Sequence, residues 1–312
     1  MPAPVLAPAP AVERSTLRPL DRLALQRVVG RLNRSTPAPW LHGEVARRMA
    51  ERLPVIRQQP GTVIDWWAGL GASRDVLASS YPKAHRIGVE PDDAARSAAQ
   101  LALARPWWSP QRWSAGVPDV RTEGGLAPGE GQLVWANMML HAVIDPQAVM
   151  ALWHRSLAAE GFLMFSTLGP GTLESLQALY RREGWPRPFA PFVDMHDLGD
   201  MLVHAGFADP VMDQELITLT WASPAALLAE LRGLGGNVDP QRHAGLRTPR
   251  WRDRLAQLLA QTRDAAGRCQ LTFEVVYGHA FKPLPRPKLT ENTSVPLADM
   301  RTMVRSGRRP AE

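Results

Sequence analysis

Asp65, Gly69, Gly71 and Glu90 have the types and spacing of a nucleotide-binding turn. An apolar run from Val63 reaches Asp65, and glycines at 69 and 71 let the backbone turn tightly where a helix over 72–78 is expected to begin. A second apolar run, Ile87 to Val89, ends on Glu90. A carboxylate at the carboxyl end of that strand can accept both hydroxyls of a ribose, the mark of an adenosine site. A dinucleotide fingerprint would need a third glycine so that a pyrophosphate could rest on the helix N-terminus. That position is Arg74, which argues against hydride transfer with a nicotinamide cofactor.

Other candidates follow further along. Asn137 and His141 lie just past the apolar run Leu133 to Ala136, at the carboxyl edge where open α/β sheets bind ligands. Asn137 is placed with the cofactor; His141 reads either as a general base or as a polar loop residue. Arg181, Arg182 and Arg187 close a helical stretch, where they could meet an acidic substrate or simply offset the helix dipole. No metal site is expected, because Cys269 is the only cysteine and none of the eight histidines forms an HxxxH pair.

The elements that must position these residues alternate strand and helix, as a doubly wound sheet requires. Asp92 is expected to cap a helix over 93–104, and PWWSPQRWSAG then interrupts the pattern with aromatic packing under a loop. A weak strand is expected over 120–122 and clearer ones over 132–136 and 162–167. Between the last two, Asp145 and Pro146 start a helix with Val149, Leu152, Trp153 and Leu157 on one face and Gly161 at its end. Thr172 is read as the cap of a further helix ending at Gly184, and Asp194 with Asp197 as a variant capping box for the next. A strand near 211–217, helices from Ser223-Pro224 and over 250–263, and an antiparallel strand LTFEVVYGHAF complete the set.

With 312 residues, 45% of them apolar, the chain suits one enzyme-sized domain. No apolar run reaches the length of a membrane span. The reading is a disordered Pro/Ala-rich leader over 1–18, a domain over 19–283 with lid insertions at about 19–53 and 168–195, and a disordered basic tail over 284–312. Residues 282–312 hold seven Lys/Arg and three Asp/Glu, so most of the net charge of +6 lies outside the body and a nucleic-acid partner is not expected. The lack of a signal peptide or disulfide framework fits a cytoplasmic protein. Nothing in the pattern sets the oligomeric state.

The run from Asp65 to Gly71 resembles motif I, DxGxGxG, of the class I S-adenosylmethionine-dependent methyltransferases, with Trp67 in place of the first glycine. The resemblance implies an α/β, Rossmann-like seven-stranded sheet with the last strand antiparallel, helices on both faces and an inserted helical lid. It implies S-adenosylmethionine as cofactor, with Asp65, Gly69, Gly71 and Glu90 around it and Glu123 as the acid over the adenine amine. The changed character of Trp66, Ala68 and Leu70 suggests a repacked turn whose Trp67 indole lines the methionine end.

LHGEVARRMAERL, FSTLGPGTLESLQALY, FVDMHDLGDMLVHAGFADPVMDQELITLTW, PAALLAELRGLGGNV and TFEVVYGHAFKP narrow this, being similar over roughly 40–283 to the BioC family of malonyl-acyl-carrier-protein O-methyltransferases of biotin synthesis. The family opens with an FxRAAxxYD-like segment whose tyrosine covers the site; the corresponding stretch here has no tyrosine, and Trp40 stands as its substitute. What the resemblance implies is methylation of the free carboxylate of a malonyl thioester carried by acyl-carrier protein. Two alternatives remain open on the residues: a catalytically degenerate methyltransferase-like binding or regulatory protein, and a methyltransferase for another small carboxylate or a phenolic metabolite with His141 as base.

Overall fold

Five parallel strands carry the candidate residues. In the computed structural model, which describes residues 17–34, 38–103 and 119–285, they are β1 (Thr62–Trp66), β2 (His85–Glu90), β3 (Asp119–Thr122), β4 (Gly131–Ala136) and β5 (Leu157–Leu168). With β6 (Ala208–Trp221) and β7 (Cys269–Phe281) they form one sheet of order β3-β2-β1-β4-β5-β7-β6, in which β7 runs antiparallel to both neighbours. The expected seven-stranded sheet with an antiparallel last strand is thus observed.

Alternation along the central strands explains why both faces are covered. Ile64, Trp66, Val134 and Phe165 enter one apolar cluster with Trp153, whereas Val63, Leu133, Trp135 and Phe162 enter another with Leu77 and Met49. Strands buried on both sides read as continuous apolar runs, which made β1 and β4 conspicuous in the sequence.

The helices start where short polar side chains can cap them. Asp21 opens α1 (Arg22–Leu32), Asp92 opens α5 (Asp93–Leu103) and Asp145 with Pro146 opens α6 (Pro146–Ser156), each carboxylate accepting from a backbone N–H three residues on. Ser223 does the same for α9 (Pro224–Leu234) and Thr248 for α10 (Pro249–Leu259). Before the sheet lies α2 (Trp40–Ala50); after β5 come α7 (Glu174–Arg182) and α8 (Met195–His204).

Several local expectations change. The helix expected over 72–78 is split into a single turn, α3 (Ala68–Gly71), and α4 (Arg74–Ser80), because Trp67 and Ala72 take left-handed backbone conformations at φ 54° and 53°. Helix α6 stops at Ser156 rather than at Gly161, and Leu157 already pairs with Gly131 as the first residue of β5. Thr172 does not cap α7: its hydroxyl lies 3.0 Å from the Glu274 carbonyl, and the turn passes through Leu173 at φ 53°. At α8 the Asp194 carboxylate accepts from the backbone and ring nitrogens of His196, both at 2.8 Å, and no bond to Asp197 closes a box. Arg18, within the stretch read as a leader, is buried in the body; residues 1–16, the tryptophan-rich 106–116 and residues 286–312 lie outside the described residues.

Beyond the end of β5, β7 continues with β6 alone from Glu274 back to Cys269, raising a two-stranded extension past the carboxyl edge of the sheet. Arg48 on α2 pairs with Glu215 of β6, and Arg52, just past α2, holds Asp213 at 2.7 Å, so the end of α2 is fastened to the part of β6 that leads into that extension.

Candidate functional site

The turn after β1 is built by close approach. The Trp67 N–H donates to the Val89 carbonyl at 2.6 Å, and the Trp67 carbonyl accepts from Leu70 and Gly71. Gly69 N–H donates to Glu90 Oε1 at 2.9 Å, and a Cβ on Gly69 would stand 3.2 Å from that oxygen. A Cβ on Gly71 would meet Ser73 Oγ at 3.3 Å and the Asn137 carbonyl at 3.5 Å. Both glycines are therefore closely approached, while the left-handed residues that glycine would favour are Trp67 and Ala72.

Two carboxylates face one another across this turn with little to neutralise them. Asp65 is buried and its Oδ1 has no hydrogen-bond partner. Burial, and then the charge of Glu90, push its carboxyl up to about 8, against opposing effects of Arg74 and Arg86. Glu90 is raised to about 7 by burial and by Asp92, although the Gly69 N–H works the other way. A ligand bearing positive charge and hydroxyl donors would satisfy this pair, and S-adenosylmethionine carries both.

Glu123 is held through one of its two oxygens. Its Oε1 accepts from the indole nitrogens of Trp67 at 2.7 Å and Trp66 at 3.2 Å, and burial raises its carboxyl above the usual range. Trp67, 6% exposed, thus has its indole nitrogen turned toward the end of β3. Asn137 is likewise committed: its Nδ2 donates to the carbonyls of His42 at 2.8 Å and Gly71 at 2.5 Å, and its Oδ1 accepts from Ser166 Oγ at 2.7 Å. It ties α2, the glycine turn and β5 together and has no donor left for a ligand.

His141 is half-buried in the loop after β4, edge-on to Phe192, and its Nδ1 is shielded with no partner. Burial, His42 and Arg18 lower it to about 3, so the ring is neutral at physiological pH. Around it lie two residues that sequence reasoning missed. His42, also buried, has its Nδ1 2.9 Å from the Leu70 carbonyl and is lowered to about 4 by burial. Arg18, 8% exposed, donates to the carbonyls of His141, Val143 at 3.3 Å and Pro191 at 2.8 Å. Neither had a signal: Arg18 sits in a proline-flanked stretch without period, and His42 reads as a polar residue of an amphipathic helix.

The remaining candidates stand apart from this centre. Trp40, 59% exposed, borders an open groove of about 400 Å³ with Leu219, Trp221 and Glu230, none of them part of the glycine turn. Arg181, Arg182 and Arg187 are all exposed; Arg182 approaches Glu183 at 3.9 Å, and Arg187 engages Asn237 through its carbonyl. Among the described residues no group of three or more His, Cys, Asp or Glu is arranged to hold a metal, and no helix is long and apolar enough to cross a membrane.

The strand order, the antiparallel β7 and the acids near the end of β1 and at the end of β2 around a glycine turn are the architecture of the class I S-adenosylmethionine-dependent methyltransferases. The fold is shared with the YcgJ protein from Bacillus subtilis, at a TM-score of 0.51 and 12% identity, covering 76% of this chain and 98% of that one. No family model matches the sequence. A malonyl-[acyl-carrier protein] O-methyltransferase from Gallionella capsiferriformans is 37% identical over 276 residues, which cover 86% of this chain and 93% of that protein. One of the same name from Laribacter hongkongensis is 38% identical over 260 residues, covering 80% and 86% respectively. The chain belongs to the malonyl-acyl-carrier-protein O-methyltransferase family.

Proposed function

We propose that this protein transfers a methyl group from S-adenosylmethionine to the free carboxylate of malonyl-acyl-carrier protein in early biotin synthesis, and that it does so in the cytoplasm. The observation that carries the assignment of the cofactor cradle is the buried pair Asp65 and Glu90, uncompensated at the carboxyl edge of the sheet. Glu90 is the residue for the ribose hydroxyls, Asp65 for the cationic end, and Gly69 and Gly71 clear the space beside them. S-adenosylmethionine supplies a methyl group already activated by its positive sulfur.

Since the acceptor is a carboxylate, no proton has to be removed from it, and the residues are left with orientation and the exclusion of water. Orientation of two reactants is worth about 7 to 11 kcal/mol, enough to account for most of a methyl transfer without a catalytic base. The low basicity of His141 agrees with that: a ring with a pKa near 3 is a poor proton acceptor. Asn137 and His42 act by holding the turn. Purified protein is expected to bind S-adenosylmethionine in calorimetry and to convert malonyl-acyl-carrier protein to its methyl ester, a gain of one CH2 read by mass spectrometry. Binding without methylation would refute the assigned substrate; absence of binding would refute the cradle.

A further inference from the structure

We propose that Arg18 is the residue that receives the substrate carboxylate, with His141 Nδ1 as the second donor. The inference rests on the reading above and names the group that selects its acceptor. Arg18 is a buried cation with no carboxylate partner among the described residues, where its guanidinium meets only backbone carbonyls. Those carbonyls belong to the loop after β4 and to the segment before α8, and Arg18 N–H adds a 2.8 Å bond to the Ile144 carbonyl. One guanidinium thus joins the amino-terminal segment, the β4 loop and the lid.

Three carbonyls satisfy three of the five guanidinium donors and leave Nε and one N–H of Nη2 uncommitted. Burying a guanidinium without an anion is costly, and the three carbonyls offset only part of that cost, so a carboxylate entering the same space would meet an uncompensated charge. The neighbouring unpartnered His141 Nδ1 is the second half of the case. In its Nδ1–H tautomer the neutral ring can donate to an anion, and its contact with Phe192 fixes the ring plane. The loop that carries His141 begins at Asn137, whose amide grips the Gly71 carbonyl, so the two donors are one loop away from the cofactor turn. A carboxylate held there loses its charge on methylation, and with it the reason to stay: the same cation that draws in the acid releases the ester.

The test compares affinity for malonyl-acyl-carrier protein with that for its methyl ester, by calorimetry on the full-length protein. Wild type should prefer the free acid. Arg18→Gln should erase that preference by about 30- to 150-fold, the worth of one charge-assisted bidentate contact, while affinity for the ester and for S-adenosylmethionine stays within about twofold. Arg18→Lys, which keeps the charge but not the fork, should fall between the two. If Arg18→Gln leaves the preference intact, or weakens acid, ester and cofactor in parallel, Arg18 is only a bolt between segments and the proposal is overturned. Should that variant not fold, His141→Ala carries the test, because the backbone carbonyl that Arg18 uses is retained: an unchanged preference for the acid overturns the proposal, and a loss of about tenfold supports it. Wild type that selects the acid without methylating it would leave Arg18 in place and refute the methyl transfer instead.

Discussion

At the scale of single residues, the buried acids dominate. Glu90→Ala removes a charge-assisted contact to ribose worth about 2 to 3 kcal/mol, so S-adenosylmethionine affinity should fall about 30- to 150-fold; unchanged affinity would remove Glu90 from the cradle. The same acids impose a pH dependence. Asp65 near 8 and Glu90 near 7 hold protons in the folded chain that the unfolded chain, with carboxyls near 4, has already lost. The native state therefore binds more protons between about pH 4 and 8, and stability falls as pH rises through that window. The facing Asp92 adds to this and the guanidinium groups of Arg74 and Arg86 oppose it. Cofactor-free wild type should melt lower at pH 8.5 than at 5.5, Asp65→Asn should flatten the slope, and S-adenosylmethionine should bind tighter at the higher pH. A flat wild-type profile would contradict the raised values.

Trp67 sets two costs against each other. Its left-handed backbone stores about 1 to 3 kcal/mol, whereas truncating a buried tryptophan loses about 3 to 5 kcal/mol. Trp67→Gly relieves the first and suffers the second; Trp67→Ala suffers the second and keeps the first. Both should be destabilised in urea, the alanine variant by about 1 kcal/mol more. Equal losses would mean that the backbone there is not strained. Asp65 and Glu90 were legible because each ends an apolar run. Trp67, Ala72 and Met138 were not, since nothing in a tryptophan, an alanine or a methionine announces a positive φ.

At the scale of elements, the sequence showed most clearly what was buried on both faces. Strands β1, β2 and β4 and the capped starts of α5, α6 and α9 appear close to where apolar runs and Asp or Ser placed them. The boundaries that moved did so for tertiary reasons: Leu157 leaves its helix to pair with Gly131, and Thr172 leaves its cap to bond Glu274 across the sheet. The space around Gly278 was equally invisible. A Cβ there would lie 2.3 Å from the Phe165 ring and 2.9 Å from Met212 Sδ, in the middle of β7. Gly278→Ala should thus cost about 1 to 3 kcal/mol by overpacking, measured by denaturant unfolding, and a neutral result would show that the ring can move aside.

At the scale of the whole molecule, Lys282 fastens the chain just past β7 to the body. Its ammonium donates to the carbonyls of His154 at 2.8 Å and Leu157 at 2.6 Å, and its N–H to the Gly161 carbonyl at 2.8 Å. Deleting residues 286–312 should shift the melting temperature by at most about 2 °C, whereas a cut that also removes Lys282 should lower it by about 4 °C or more, as expected for the loss of 1 to 2 kcal/mol in a domain of this size. A large loss from the shorter deletion would place part of the basic segment on the body.

The position of β7 has a consequence for how such a chain is made. It is the last of the described strands, yet it lies between two that precede it, pairing with β5 through Phe281 and with β6 back to Cys269. On the ribosome, β5 and β6 therefore emerge with no partner for their facing edges, and that gap cannot be filled until residue 281 has been synthesised. Open strand edges of this kind invite pairing between nascent chains. A message that stops short of codon 269 would accordingly yield an aggregating product instead of a smaller working enzyme.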